Sequence, residues 1–201
     1  MADSAKGIWT PANIVTCVRV VLVPIWLFVA ELAVVHPESG VSVSAMFVFG
    51  FYVLISLTDK LDGYLARSRG EVTTFGKFLD PIADKLAVIV ALCYLLEHGM
   101  VSSWCVLIIV AREFLVSGLR MVVASRGVVI AASNLGKWKT ATTMIAICGL
   151  LFLAALPLGE SLLVSGLNVI FYLMLLAAVL LTAWSGIDYF MKSWGYLAEA
   201  E

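Results

Sequence analysis

Four aspartates lie within 26 residues of an otherwise apolar chain. Asp59 and Asp62 are three residues apart, and Asp80 and Asp84 are four residues apart. Residues at these spacings share one face of an α-helix, so each pair projects its carboxylates in one direction. Because the connection between the two pairs is short, their helices are expected to be antiparallel neighbours with the two acidic faces together.

Acidic faces this close need a counter-charge. Four carboxylates near a low-dielectric region repel one another, and some take up protons unless a cation neutralises them. Carboxylate oxygens are hard ligands suited to Mg²⁺ or Mn²⁺, and four of them can hold two ions whose remaining positions take water and a substrate phosphate. The segment therefore predicts a two-metal site for a phosphate-bearing substrate.

Small and basic residues accompany the aspartates. Gly63 and Ala66 follow Asp62 by one and four residues, where the lack of a bulky side chain lets a planar group approach the helix backbone. Gly76 is expected to serve the same purpose on the facing helix. Arg67 offers a bidentate guanidinium fork for phosphate near the metal site.

Each of these residues also has an ordinary structural explanation when it is taken alone. An aspartate at a membrane border is often solvated, and Asp80 followed by Pro81 is typical of a helix N-cap with proline at the first helical position. Gly63 and Ala66 are typical of close helix packing in membranes. The full set favours a binding site, because solvating two helix ends does not require all of these residues at these spacings.

The composition excludes an ordinary soluble protein. Of 201 residues, 62% are hydrophobic and 13% are charged, and the mean hydropathy is +1.04, whereas soluble domains carry roughly 25% charged residues. We expect one all-α integral membrane domain over residues 1–201, with a short cytoplasmic segment at 1–12 and the acidic motif at 59–84. The net charge of −1 gives no overall attraction to nucleic acid.

Six windows of about 20 mostly apolar residues predict six transmembrane helices. They cover residues 13–35, 43–67, 78–96, 102–124, 139–158 and 162–189. The connections after the first, third and fifth windows contain no Lys or Arg, whereas those after the second and fourth are basic. By the positive-inside rule, both termini and the acidic motif face the cytoplasmic side of the cell membrane.

The acidic motif resembles the signature of the CDP-alcohol phosphotransferases, integral membrane enzymes that move a phosphatidyl or related group from a CDP-linked donor to a hydroxyl. Every signature position is matched: Asp59, Asp62, Gly63, Ala66, Arg67, Gly76, Asp80 and Asp84. The resemblance implies that the four aspartates bind two metal ions and that Asp84 is the general base. The implied CDP-binding residues are Asp62, Gly63, Ala66, Arg67 and Gly76.

Further segments are similar to those of one group in this family, the phosphatidylglycerophosphate synthases. They are residues 13–16 with Arg19, residues 111–120 and residues 136–140. One position departs from that group, in which a glutamine commonly follows the Lys-Thr pair, because this chain has Thr142 and Thr143 there. The resemblance implies CDP-diacylglycerol as donor, glycerol 3-phosphate as acceptor, contact with membrane lipids and a homodimer.

A deep arginine independently predicts a second anionic pocket. Arg112 lies about 21 Å along its helix from Arg126, too deep for easy snorkelling, so its charge should face a wet cavity. The alternative is an ion pair with Glu113 or with an acid of a neighbouring span. The divergence of about 100° between adjacent helical residues disfavours the pair with Glu113. The predicted pocket for the acceptor phosphate comprises Arg19, Arg112, Arg120, Lys137 and Lys139. The last three are alternatively positive-inside anchors.

In the predicted reaction, Asp84 deprotonates the primary hydroxyl of glycerol 3-phosphate, and the oxygen attacks the phosphorus that bears diacylglycerol and displaces CMP. In-line displacement and a covalent phosphatidyl intermediate are both open. Other acceptors, namely inositol phosphate, serine or phosphatidylglycerol, would preserve the metal centre. A metal-dependent prenyltransferase is disfavoured because its acidic clusters lie far apart in a longer chain. A cation transporter is disfavoured because the fifth and sixth spans have no charge in their middles.

Overall fold

The computed structural model describes residues 10–69, 73–125, 134–157 and 161–198. These residues form six α-helices: α1 (Pro11–Glu31), α2 (Val43–Arg69), α3 (Thr74–Glu97), α4 (Ser103–Ser125), α5 (Asn134–Ala154) and α6 (Leu162–Ala198). Their side chains are described except at residues 12, 59–69, 74, 77, 78, 80, 124, 125, 134–137 and 195–198. Within the described residues, the prediction of an all-α chain with six helices is confirmed, and each helix overlaps one predicted span.

The start of α3 lies four residues before the predicted span. The hydroxyl of Thr73 accepts a hydrogen bond from the backbone N–H of Gly76 at 3.0 Å, which is the contact of a helix N-cap. Pro81 therefore lies inside the helix, and the interpretation of Asp80 as the cap is wrong. As a result, the second half of the acidic motif belongs to one continuous helix.

The ends of other helices also differ from the predicted spans. α5 covers Asn134–Ala154, whereas its predicted span is 139–158. α1 begins after the N-cap Thr10, whose side-chain oxygen accepts a hydrogen bond from the backbone N–H of Asn13, and it ends at Glu31, four residues early. α6 continues nine residues past its predicted end, to Ala198. At 1.5 Å per residue, its 37 residues extend for about 55 Å.

Two helical stretches of the described residues are long and apolar enough to cross a membrane, judged by length and composition. They are Asn13–Glu31, with a mean hydropathy of 2.1, and Leu162–Trp194, with a mean hydropathy of 2.3. Val43–Thr58 and Trp138–Ala154 are shorter apolar segments. The six-span topology and its orientation stay predictions.

The described parts of Met1–Tyr94 and Leu151–Glu160 form one compact unit. Its core contains Trp26 of α1, whose ring centroid lies 5.4 Å from that of Tyr52 on α2 and 5.6 Å from that of Tyr94 on α3. Trp26 also donates a hydrogen bond to the carbonyl of Val48 at 2.9 Å. These rings are at most 2% exposed, so their contacts hold the three helices together.

The described parts of Leu95–Leu150 and Ser161–Glu201 form a second compact unit. Within it, α4 packs against α6, and a Cβ on Gly186 would lie 3.0 Å from Cγ of Arg112. α5 meets α6 at Gly149, where the ring of Phe171 occupies the space that a Cβ would need. Small residues allow this close approach of helix backbones.

Candidate active site

The signature residues lie on α2 and α3. The helical spacing that places each aspartate pair on one face is confirmed for the backbone, because both helices are continuous through the motif. The side-chain positions of most signature residues lie outside the described part: Asp59, Asp62, Gly63, Ala66, Arg67 and Asp80. The convergence of the four carboxylates stays a prediction.

Asp84 is half-exposed and contacts a buried arginine. Its side chain is 52% exposed, and its Oδ1 accepts a hydrogen bond from Nη1 of Arg19 at 2.6 Å. Arg19 belongs to α1, and its side chain is 1% exposed. A buried charge is tolerated when it is paired, so this contact both neutralises Arg19 and fixes the carboxylate of Asp84. Arg19, predicted for the acceptor pocket, thus lies beside the predicted general base.

Gly76 is buried against the start of α1. A Cβ on Gly76 would lie 2.6 Å from Oδ1 of Asn13 and 3.3 Å from Oγ1 of Thr73. The amide of Asn13 in turn donates a hydrogen bond to Oγ1 of Thr73 at 2.8 Å. The packing of α1 therefore already requires a glycine at this position, and the role of Gly76 in binding CDP stays a prediction.

The chemistry of the donors fits the predicted metal ions. Carboxylates that bind metal are usually oriented by a second partner, and Arg19 is such a partner for Asp84. The exposed side of Asp84 is accessible from solvent, whereas the guanidinium behind it is not. The other predicted metal ligands are also carboxylates on helices, Asp59 and Asp62 on α2 and Asp80 on α3. Their oxygens are hard donors of the kind that Mg²⁺ prefers.

A charged cluster lies in the second unit, on α4 and α5. Oε1 of Glu113 lies 3.3 Å from Nη1 of Arg112 and also accepts a hydrogen bond from Nζ of Lys139. The three side chains are 9–16% exposed. The prediction that the Arg112–Glu113 pair is disfavoured is wrong, because Nη1 of Arg112 lies within hydrogen-bond distance of Oε1 of Glu113.

This cluster is suited to an anionic ligand. Arg112 and Lys139 share one carboxylate, so the three side chains carry one net positive charge in a region largely shielded from water. Nε of Arg112 is buried and makes no hydrogen bond to the part of the chain that the structure describes. A phosphate would be attracted by the positive charges of Arg112 and Lys139.

Arg120 has a different partner. It lies eight residues beyond Arg112, about 12 Å along α4. Its guanidinium carbon stands 5.3 Å from the ring centroid of Tyr189 on α6, which is a cation–π contact. The side chain of Lys137 lies outside the described part. Of the predicted acceptor residues, Arg112 and Lys139 are therefore brought together around one acid.

Thr142 and Thr143 stand where the phosphatidylglycerophosphate synthases commonly have a glutamine, and both bond within α5. Both hydroxyls donate hydrogen bonds to carbonyls one turn earlier on α5, at 2.8 and 2.9 Å. Thr143 is also buried, at 4% exposed. Both hydroxyls therefore bond within their own helix.

The sequence pattern does not identify Glu113, Asn13 or Thr73 as site residues. Of these three, only Glu113 could have been identified from the sequence, because an acid next to a deep arginine also needs a partner. Asn13 and Thr73 are neutral residues 60 positions apart, and no local pattern links them. Only the tertiary packing of α1 against the start of α3 brings these two residues together.

Residues 9–184 match the family described as CDP-alcohol phosphatidyltransferase. A Bacillus subtilis protein named CDP-diacylglycerol–glycerol-3-phosphate 3-phosphatidyltransferase is 37% identical over 195 residues, covering 90% of this chain and 94% of the relative. A Haemophilus influenzae protein of the same name is 34% identical, with 92% and 93% covered. A Mycobacterium tuberculosis protein named probable phosphatidylglycerophosphate synthase is 38% identical, with 90% and 80% covered. This chain therefore belongs to the CDP-alcohol phosphatidyltransferase family.

Proposed function

We propose that this chain transfers a phosphatidyl group from CDP-diacylglycerol to glycerol 3-phosphate, giving phosphatidylglycerol phosphate and CMP. One observation carries the proposal: relatives that are 34–38% identical over about nine-tenths of the chain are named for this activity or as the corresponding synthase. The positively charged cluster of Arg112, Glu113 and Lys139 supports a phosphorylated acceptor over serine, because serine carries no phosphate.

The signature segment is proposed to bind the CDP group of the donor. Mg²⁺ or Mn²⁺ bound there would supply positive charge next to the diphosphate and the departing CMP. The proposed metal ligands are Asp59, Asp62, Asp80 and Asp84. The proposed contacts to CDP come from Asp62, Gly63, Ala66, Arg67 and Gly76, with the guanidinium of Arg67 on the diphosphate.

Asp84 is proposed as the general base. Its half-exposed carboxylate is accessible to an acceptor that arrives from water, and Arg19 fixes its position. The carboxylate takes the proton of the primary hydroxyl of glycerol 3-phosphate. The hydroxyl oxygen then forms a bond to the phosphorus that bears diacylglycerol, the bond from that phosphorus to CMP breaks, and CMP leaves with the electron pair.

Four basic residues are proposed to bind the phosphate of the acceptor: Arg112, Arg120, Lys137 and Lys139. The cluster around Glu113 supports the first and the last of these, because it holds both cations close together beside one acid. Arg120 and Lys137 are proposed on their charge and their position in the sequence. Arg19 was predicted for the same pocket and is treated separately below.

The family and the apolar helices indicate a membrane protein. We propose that all six helices span the cytoplasmic membrane of the cell, with both termini and the active site on the cytoplasmic side, and that the enzyme is a homodimer. The alternation of basic and non-basic connections supports the orientation, and the family resemblance supports the dimer. In a variant without its four native cysteines, a membrane-impermeant thiol reagent should label His36→Cys in intact cells but not Arg126→Cys.

The activity is tested with purified protein, CDP-diacylglycerol and Mg²⁺, in parallel reactions that each contain one acceptor. The acceptors are glycerol 3-phosphate, inositol phosphate, serine and phosphatidylglycerol, and CMP release is measured in each. We expect glycerol 3-phosphate to support the fastest release by at least tenfold. Faster release with another acceptor would keep the family chemistry and refute the proposed substrate.

A further inference from the structure

α1 carries a buried polar face within an otherwise apolar helix. Asn13, Thr16 and Arg19 are three residues apart, so they lie along one side of the helix. They are 3%, 0% and 1% exposed. Buried polar and charged groups destabilise a fold unless they are satisfied by specific partners, so a face of this kind indicates precise contacts with a neighbouring helix.

That neighbour is the half of the signature motif on α3, which the polar face contacts at two levels. Asn13 packs against Gly76 and bonds Thr73, and Arg19 bonds Asp84. The two levels are about 9 Å apart along α1 and about 12 Å apart along α3. From the first contact to the second, the residue numbers increase along both helices, so α1 and α3 run parallel. The two contacts fix the register of α3 against α1.

We propose that Arg19 is a positioning residue, which holds the carboxylate of Asp84 in the place where it binds metal and accepts the acceptor's proton. This inference rests on the role of Asp84 in the proposed function. It replaces the expectation that Arg19 binds the acceptor phosphate. The exposures decide between the two roles, because a guanidinium that is 1% exposed is out of reach of a soluble phosphate, whereas the carboxylate in front of it is 52% exposed.

The two roles of Arg19 predict different kinetics. A positioning residue acts through Asp84, so its loss lowers kcat and weakens metal binding while KM for glycerol 3-phosphate stays within about twofold. Outer partners of metal ligands typically contribute roughly 10- to 100-fold to metal affinity or activity. A phosphate ligand would instead raise KM for glycerol 3-phosphate and leave the affinity for metal unchanged.

The variants for the test are Arg19→Lys and Arg19→Gln. Lysine keeps the charge but replaces the planar fork by a point charge, so partial rescue is expected. We expect kcat to fall about 10-fold in Arg19→Lys and about 100-fold in Arg19→Gln. Binding of Mn²⁺, followed by electron paramagnetic resonance in the presence of CDP-diacylglycerol and without acceptor, should weaken in the same order.

Two further variants complete the design. Arg112→Gln is expected to show the opposite pattern, a raised KM for glycerol 3-phosphate with unchanged binding of Mn²⁺. Lys192→Gln removes an exposed charge whose partner, Asp188, lies on the same helix, and it should behave as wild type.

The proposal is overturned if KM for glycerol 3-phosphate rises in the Arg19 variants while kcat and Mn²⁺ affinity are unchanged, or if all three match wild type. It is also overturned if both Arg19 variants fail to fold while Lys192→Gln folds, because Arg19 would then be a purely structural ion-pair partner. If the wild-type protein proves inactive but Arg19→Lys still binds Mn²⁺ less tightly than wild type does, the proposed function is refuted. The positioning role of Arg19 is then retained.

Discussion

Replacement of Arg112 by glutamine separates an acceptor ligand from a structural ion pair. Arg112 is 13% exposed, and its Nη1 lies 3.3 Å from the carboxylate of Glu113. The change removes the charge of the arginine but leaves Glu113 bonded to Lys139, so no buried acid is left without a cation. Because Glu113 stays neutralised, we expect Arg112→Gln to fold and to bind the donor lipid.

The magnitude follows from the hydrogen bonds that Arg112 would make to phosphate. A hydrogen bond to a charged group contributes roughly 1.5–3 kcal/mol. Each 1.4 kcal/mol changes an equilibrium about tenfold, so KM for glycerol 3-phosphate should rise about 10- to 150-fold. We expect kcat at saturating acceptor to change less than threefold, because Arg112 is not assigned to the reacting phosphorus.

The assay is CMP release as a function of glycerol 3-phosphate at saturating CDP-diacylglycerol and Mg²⁺. Lys192→Gln is the matched control, since it also removes one positive charge, from a side chain that is 60% exposed. A wild-type KM in Arg112→Gln, together with a lowered melting temperature, would show that Arg112 serves only as a partner of Glu113.

Three further predictions concern the base, the metal and the helix packing. Asp84→Asn should lower kcat by roughly 10²- to 10⁴-fold, the usual contribution of a general base, while binding of radiolabelled CDP-diacylglycerol persists; wild-type turnover would remove Asp84 from the mechanism. Chelation with EDTA should abolish CMP release and added Mg²⁺ or Mn²⁺ should restore it, so full activity in excess chelator would contradict the metal site. Gly149→Ala should lower stability by roughly 1–3 kcal/mol, because its Cβ collides with Phe171. The Cβ of Gly166→Ala meets no atom of the described residues within 4 Å, so this control should not lower the melting temperature.

The six helices could be predicted from hydropathy, but several of their ends could not. Apolar windows mark the part of a helix that lies in lipid, whereas a cap or an ion pair decides where the helix ends. α3 starts early because the hydroxyl of Thr73 caps it, in a stretch that carries Gly76 and Lys77 and so falls outside the apolar window. α6 continues past its predicted end at residue 189, where Lys192 pairs with Asp188 one turn earlier at 2.8 Å.

The signature aspartates could be identified from their spacing, but the partner of Asp84 could not. Spacing rules connect residues one or two turns apart on one helix, whereas Arg19 and Asp84 are 65 positions apart in the chain. Its charge and its place in a segment similar to the synthases made Arg19 a candidate for binding phosphate, whereas its burial and its contact favour a role beside Asp84. For Arg112 and Glu113, ideal helix geometry gives the direction of each Cβ but not the reach of a long side chain.

Transfer of the phosphatidyl group can be followed by tracing glycerol 3-phosphate into the lipid product. Purified protein is supplied with deuterated glycerol 3-phosphate, unlabelled CDP-diacylglycerol and Mg²⁺, and the lipid product is identified by mass spectrometry. We predict phosphatidylglycerol phosphate that carries all of the deuterium, formed in equal amount to CMP. CMP released without deuterium in any lipid, or no CMP at all from folded protein, would contradict the assignment.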